Sequence, residues 1–143
     1  MKKTVGLLVL GGCIVFLAYT LAYIFGDSLL GWWLANILHF SGGFYAVFFL
    51  RTLFNSTGKY HQTKTAWWMK LLIFIFGALV MGVLWEWYEF VFIYWNKIFV
   101  LHQEWAILAI YVDTMSDLFI DLLGAMAAGI YLSLHLWNRK NST

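Results

Sequence analysis

Apolar residues occur along this chain in four long stretches that are separated by shorter polar segments. The stretches cover residues 4–25, 30–54, 67–90 and 112–137. A helix needs about 20 apolar residues to cross a hydrocarbon core of roughly 30 Å, so each stretch predicts one transmembrane helix. The pattern therefore predicts an all-α, polytopic membrane protein, folded as a single four-transmembrane-helix bundle over residues 1–143.

The segment between the third and fourth stretches, residues 91–111, is also apolar but is interrupted by polar side chains. The interrupting residues are Asn96, Lys97, His102, Gln103 and Glu104. They favour an interfacial turn or helix over a fifth complete span. Trp95 and Trp105 are typical of the headgroup level, where tryptophan is enriched.

Positive charges predict the orientation, because cytoplasmic loops carry an excess of Lys and Arg. All but one of the basic residues lie before the first stretch, around the second loop, or after the fourth stretch: Lys2, Lys3, Arg51, Lys59, Lys64, Lys70, Arg139 and Lys140. Both termini and the second loop are therefore predicted to be cytoplasmic. The first loop, with Asp27, and the third, with Lys97 against Glu104, are predicted to face outward.

The composition leaves little room for a soluble domain, since 63% of the residues are hydrophobic and only 11% are charged. The basic residues do not form a stripe with exposed aromatic residues, so no nucleic-acid partner is predicted. The lone cysteine, Cys13, excludes an internal disulfide. Leu10 to Cys13 resemble a lipoprotein cleavage box, but the apolar run continues to Phe25 without a polar linker, which favours an uncleaved span.

Two of the predicted helices carry acidic residues inside apolar sequence. Glu86 and Glu89 lie near the end of the third stretch, and Asp113, Asp117 and Asp121 lie in the first half of the fourth. Residues three or four apart share a face of a helix, so each set forms one acidic face. A charge at the bilayer centre costs about 2.5–3.5 kcal/mol on insertion scales, which makes such residues functional candidates.

The second helix is predicted to bring a histidine to the same depth. His39 lies about ten residues into the second stretch, which matches the level of the acids in the outer half of the membrane. Small residues follow His39 in the second helix and Asp121 in the fourth: Gly42, Gly43 and Ala46, and Gly124, Ala125, Ala128 and Gly129. Small residues let helices approach closely, so these two helices are predicted to cross here.

Carboxylates packed together must share protons or bind a cation. We expect a possible divalent metal ion, of unknown identity, with His39, Glu86, Asp117 and Asp121 as ligands, because carboxylates and imidazole suit Mg, Mn, Zn or Fe. Glu89 or Asp113 is then the candidate general base. The alternative is that the acids are interfacial and hydrogen-bonded, and that His39 is an ordinary core histidine.

Three classes of function fit this pattern. The first is a metal-dependent enzyme that acts on a lipid or lipid-linked substrate in the outer half of the bilayer. The second is a proton- or cation-coupled transporter or channel component, which would have to form a homo-oligomer because four helices scarcely enclose a path. The third is a non-enzymatic partner or assembly protein for another membrane protein.

Three motifs carry a family resemblance: 39–43, Trp85 to Glu89, and 113–125. With them, the chain resembles the uncharacterised YjdF-like bacterial inner-membrane proteins and, more distantly, VanZ-like proteins. In VanZ-like sequences the positions of Glu89 and Asp121 typically hold Gln and Asn, so the site is more acidic here. The resemblance implies a multi-pass protein of the bacterial cytoplasmic (inner) membrane and supplies no reaction.

Overall fold

The computed structural model describes residues 2–26, 28–56, 66–102 and 106–141, and within them the protein is helical throughout, with no strand. The four long helices are α1 (Lys2–Phe25), α2 (Leu29–Ser56), α3 (Trp67–Glu89) and α4 (Ala106–Asn141). The predicted all-α fold is confirmed. Asp27, Trp105, Glu104 and the centre of the second loop, residues 57–65, lie outside the described residues.

The segment between α3 and α4 is partly helical, and its place at the membrane interface stays a prediction. Two π-helical turns, Phe90–Tyr94 and Asn96–Val100, continue α3. α4 then begins at Ala106, about six residues earlier than predicted. The reason is that hydropathy marks where a helix leaves the hydrocarbon, whereas backbone hydrogen bonds continue through polar residues. No boundary in this segment could therefore be read from apolar content alone.

Three of the helices share a buried core. It consists of Ala46 and Val47 from α2, Phe74 and Ala78 from α3, and Ala125, Ala128 and Leu132 from α4. α1 lies beside this core and packs mainly on α2, over the described residues. The Tyr45 hydroxyl of α2 donates a hydrogen bond to the Leu7 carbonyl oxygen and so ties α1 to α2.

α2 and α4 approach so closely that their backbones touch. A Cβ atom at Gly43 would overlap the Asp121 carbonyl oxygen, and one at Gly124 would overlap the Phe40 carbonyl oxygen. Only glycine allows this approach at either position. The predicted crossing of the second and fourth helices is confirmed, and it places His39 one turn from Gly43 beside Asp121.

Large apolar side chains cover the outside of the molecule, whereas acids occupy the inside. Phe16, Leu29 and Leu108 are each more than 70% exposed, while Glu86, Asp117 and Asp121 are buried. Such a surface is stable in lipid and not in water. The burial pattern is that of a membrane protein.

Three helices of the described residues have the length and apolar content to cross a membrane: Leu29–Ser56, Trp67–Phe92 and Ile107–Leu134. The apolar segment of α1, Val5–Ala18, is shorter than these three helices. The span predicted at 4–25 and the cytoplasmic location of both termini stay predictions.

Candidate functional site

Side chains from α2, α3 and α4 converge at one level of the bundle. One ligand-type atom each from His39, Glu86, Glu89 and Asp117 lies within 4.8 Å of the other three. Metal–oxygen and metal–nitrogen bonds of about 2.0–2.4 Å place opposite ligands about 4–5 Å apart. The spacing therefore fits a single divalent ion with small side-chain adjustments.

His39 lies between two aspartates of α4. Its Nε2 is 3.5 Å from Asp117 Oδ2, and its Nδ1 is 3.5 Å from Asp121 Oδ1. The two aspartates are four residues apart and so occupy successive turns on one face. The imidazole bridges these turns, which fixes the direction of both ring nitrogens.

Glu86 is buried, as are Asp117 and Asp121. It is 5% exposed, and a side-chain hydrogen bond joins its carboxylate to Thr114 of α4. Its Oε1 atom has no hydrogen-bond partner among the described residues. A buried acceptor without a partner costs about 1–3 kcal/mol, and more when it is charged, so this atom indicates a site for a further ligand.

The space for Asp121 is made by a glycine of α3. Asp121 Oδ2 lies 2.6 Å from the position of a Cβ atom at Gly82, so any larger residue there would displace the carboxylate. Gly82 precedes Glu86 by one turn and faces the same way. The small residue thus lets α3 and α4 bring their acids together.

Glu89 and Asp113 lie next to this group and have partners of their own. Glu89 is hydrogen-bonded to the Trp85 side chain, one turn earlier. Asp113 Oδ2 accepts a 3.1 Å hydrogen bond from the Tyr94 hydroxyl, which lies in the first π-helical turn. Burial and the Asp113 and Glu89 carboxylates raise the pKa of Tyr94 above its usual range, so the hydroxyl stays a donor at physiological pH.

The acids have no basic residue to balance them within their helices. The sequence contains no Lys or Arg in residues 4–50, 71–96 or 98–138, yet it holds five carboxylates between Glu86 and Asp121, which lie in α3 and α4, and Glu104 outside the described residues. Among the described residues, His39 is the positively chargeable side chain that pairs with Asp117 and Asp121 of the cluster. Acidic groups therefore outnumber basic groups at this level of the bundle.

An apolar cavity of about 430 Å³ adjoins the cluster. α2 forms its floor, and α1 and α3 form its sides. Three polar groups of the site, His39, Glu89 and Asp121, reach its wall, while most other lining residues are apolar. The volume lies in the range typical of small-molecule sites.

The residues that lie together in the structure are not quite the set predicted as metal ligands. His39, Glu86 and Asp117, three of the four predicted metal ligands, lie together with Glu89, which was predicted as a general base. The fourth predicted ligand, Asp121, contacts His39 instead, and Asp113 is held by Tyr94. Whether these residues bind a metal stays a prediction.

A family model described as Predicted membrane protein (DUF2238) matches residues 2–138. The chain belongs to this family. The match covers α1, α2, α3 and most of α4, with every residue of the cluster, and it agrees with the membrane protein predicted from apolar content. The resemblance to YjdF-like and VanZ-like proteins stays a prediction. No curated protein and no solved structure matches the chain.

The sequence analysis missed three side chains that support the acids of this family member: Trp85, Tyr94 and Thr114. Thr114 lies three residues before Asp117, so helical spacing could have placed it on the acidic face. Trp85 lies four residues before Glu89 and could have been found in the same way. Tyr94 could not, because it follows Glu89 by five residues, and only a π-helical turn aligns that spacing.

Proposed function

We propose that this protein is a metal-dependent enzyme of the bacterial cytoplasmic membrane that acts on the headgroup of a lipid or lipid-linked substrate in the outer half of the bilayer. The observation that carries the proposal is the buried Oε1 atom of Glu86. It has no partner among the described residues, although three other ligand-type atoms lie within 4.8 Å of the Glu86 carboxylate. A divalent cation satisfies all four groups at once.

Each residue has a distinct role in this proposal. Glu86, Glu89, Asp117 and His39 Nε2 hold the ion, and Asp121 is a positioning residue that orients the imidazole through Nδ1. Carboxylates commonly orient metal-binding histidines in this way. Asp113, with Tyr94 on its Oδ2, is left as the candidate general base at the edge of the site.

A bound divalent ion would supply Lewis-acid activation of a water molecule or of a phosphoryl oxygen. The chain's own contribution is to hold the ion away from bulk water, between three helices that buried small residues pack together. The adjoining apolar cavity supports a lipid as the substrate class, because it lets an apolar chain reach His39, Glu89 and Asp121 from within the membrane.

A second candidate function is a proton- or cation-coupled carrier. One observation favours it: both nitrogens of His39 face carboxylates, Asp117 on one side and Asp121 on the other. An imidazole in this position can pass a proton from one acid to the next. A carrier of this size would require assembly of several copies.

Metal content separates the two candidates. The protein is purified in detergent, stripped with a chelator, dialysed against Mn²⁺ or Zn²⁺, and measured for bound metal and for conversion of a membrane lipid extract. We expect one ion per chain, conversion only in the loaded protein, and loss of both in Asp117→Asn. The matched variant Asp113→Asn should keep its metal.

Two results would overturn the enzyme proposal. One is a protein that retains no divalent ion under any of these conditions. The other is a metal-free protein that carries protons into liposomes, which would assign the acids to transport. Asp117→Asn that retains metal at the wild-type level would show that the ion binds elsewhere.

A further inference from the structure

The apolar cavity beside the cluster is long enough to hold a hydrocarbon chain. Along α1 its lining extends from Leu8 to Leu21, thirteen residue steps, which correspond to about 20 Å at 1.5 Å per residue. The cavity has a volume of about 430 Å³, which leaves room for one hydrocarbon chain along this length.

The cavity is accessible from the lipid phase. α1 packs on α2, and α3 packs on α2 and α4, whereas the described residues show no comparable packing between α1 and α3. The space between these two helices is therefore lined on both sides but not closed by helix contacts. A lipid tail can enter it laterally without crossing a polar surface.

The polar part of the cavity wall determines which charge is favoured in the headgroup of a bound lipid. Glu89, Asp121 and His39 reach the wall, and no Lys or Arg occurs in the stretches of sequence that line it. Glu89 and Asp121 are the carboxylates of the wall, and two more carboxylates, Glu86 and Asp117, lie in the adjoining cluster. An anionic headgroup is repelled there, whereas an ammonium group is attracted with or without the metal.

We propose that the cavity between α1 and α3 binds a lipid whose headgroup carries an ammonium group, with one hydrocarbon chain in the cavity and the ammonium group against Glu89 and Asp121. The assignment of this lipid as the substrate rests on the proposed function, whereas its binding does not. An amine-bearing amphiphile satisfies both halves of the cavity. A fatty alcohol satisfies only the apolar half.

Two glycines of α1 give a matched pair of variants. A Cβ atom at Gly12 or at Gly6 would contact nothing within 4 Å, so a larger side chain is tolerated at either position. Gly12 lines the cavity and Gly6 does not. Gly12→Leu should therefore fill the cavity. Gly6→Leu makes the same glycine-to-leucine change in α1 but should leave the cavity open.

The test uses three photoreactive amphiphiles with the same saturated chain and a diazirine at its middle, ending in an ammonium, a hydroxyl or a phosphate group. Full-length protein in detergent is labelled in the presence of a chelator, and the labelled peptides are identified by mass spectrometry. We expect the ammonium probe to label 8–21 and 78–89 about tenfold more than the other two probes. Labelling should fall to background in Gly12→Leu and persist in Gly6→Leu.

A separate variant tests the preference for an ammonium headgroup. In the double variant Glu89→Gln with Asp121→Asn, the ammonium probe should label no better than the hydroxyl probe. Because a chelator is present throughout, failure to bind metal leaves this result unchanged and counts only against the proposed function.

Four outcomes would overturn the inference. Equal labelling by all three probes would mean that the headgroup is not recognised. Preference for the phosphate probe would mean that the cavity binds an anionic headgroup. Labelling that survives in Gly12→Leu would place the chain outside the cavity. A decrease of labelling as the protein dimerises would assign the cavity to a second copy of the chain.

Discussion

At the scale of single residues, the buried oxygen of Glu86 is the strongest sign of a ligand. Buried polar atoms in proteins nearly always have a partner, and an unpartnered one calls for an explanation. Thr114 bonds to the same carboxylate but leaves Oε1 without a partner among the described residues. A cation at this position accounts for the free oxygen and for the absence of nearby basic residues.

Replacement of this carboxylate tests the explanation directly. Glu86→Gln preserves the shape of the side chain but removes one negative ligand, so we expect the affinity for Mn²⁺ to fall at least about tenfold, as in other disrupted metal sites. Thermal stability without metal should not decrease, because the change relieves repulsion among the acids. Calorimetric titration of the purified protein measures the affinity, with Asp113→Asn as the control.

Asp121 should behave differently from the ligands. Asp121→Ala removes the contact at His39 Nδ1 but leaves the four ligand atoms, so we expect metal affinity to fall about 10- to 100-fold without being abolished. A complete loss of binding, equal to that of Asp117→Asn, would place Asp121 among the ligands. Equilibrium dialysis over a wide range of Mn²⁺ concentration distinguishes the two results.

At the scale of helices, the site depends on the crossing of α2 and α4. Gly43 and Gly124 bring the two backbones together and so place His39 between Asp117 and Asp121. A larger residue at either glycine would separate the helices and open the site. The same residues thus determine packing and function.

Gly43→Leu should therefore weaken the fold and the site together. The added side chain overlaps the backbone of α4, and overpacking of this kind typically costs about 1–3 kcal/mol. We expect a lower thermal unfolding midpoint in detergent and a loss of metal binding. Gly6→Leu, which adds the same side chain in open space, should change neither quantity.

The sequence predicted the helices and the converging acids better than it predicted their grouping. Acid spacing and small residues are visible in the sequence, so the approach of His39 to Asp121 could be expected. The position of Glu89 beside His39 and Asp117 could not be expected, since it depends on side-chain directions and on the space left by Gly82. The π-helical turns after Glu89 could not be predicted from apolar content either.

At the scale of the whole molecule, the distribution of polarity is the reverse of that in a soluble protein. The outer surface carries exposed Phe, Leu and Trp side chains, and the buried polar residues include three acids. Lipid on the outside stabilises the exposed apolar side chains, and a cation is the partner that we propose for the buried acids. Orientation in the membrane is a separate property, and it rests on the positive residues of the sequence.

Two serines test the orientation. In a Cys13→Ala background, Ser28→Cys probes the loop before α2, and Ser56→Cys probes the end of α2; both positions are exposed. With a membrane-impermeant maleimide on intact bacteria, we expect labelling at 28 and none at 56 until the membrane is opened. Labelling at 56 alone would reverse the predicted topology.

The central claim is that His39, Glu86, Glu89 and Asp117 bind one divalent ion. X-ray absorption spectroscopy of the Zn²⁺-loaded protein in detergent measures the ion's own neighbours. We expect one imidazole nitrogen and carboxylate oxygens at about 2.0–2.2 Å, with the imidazole signal lost in His39→Gln. A sulfur neighbour from Cys13, or an imidazole signal that remains in His39→Gln, would contradict it.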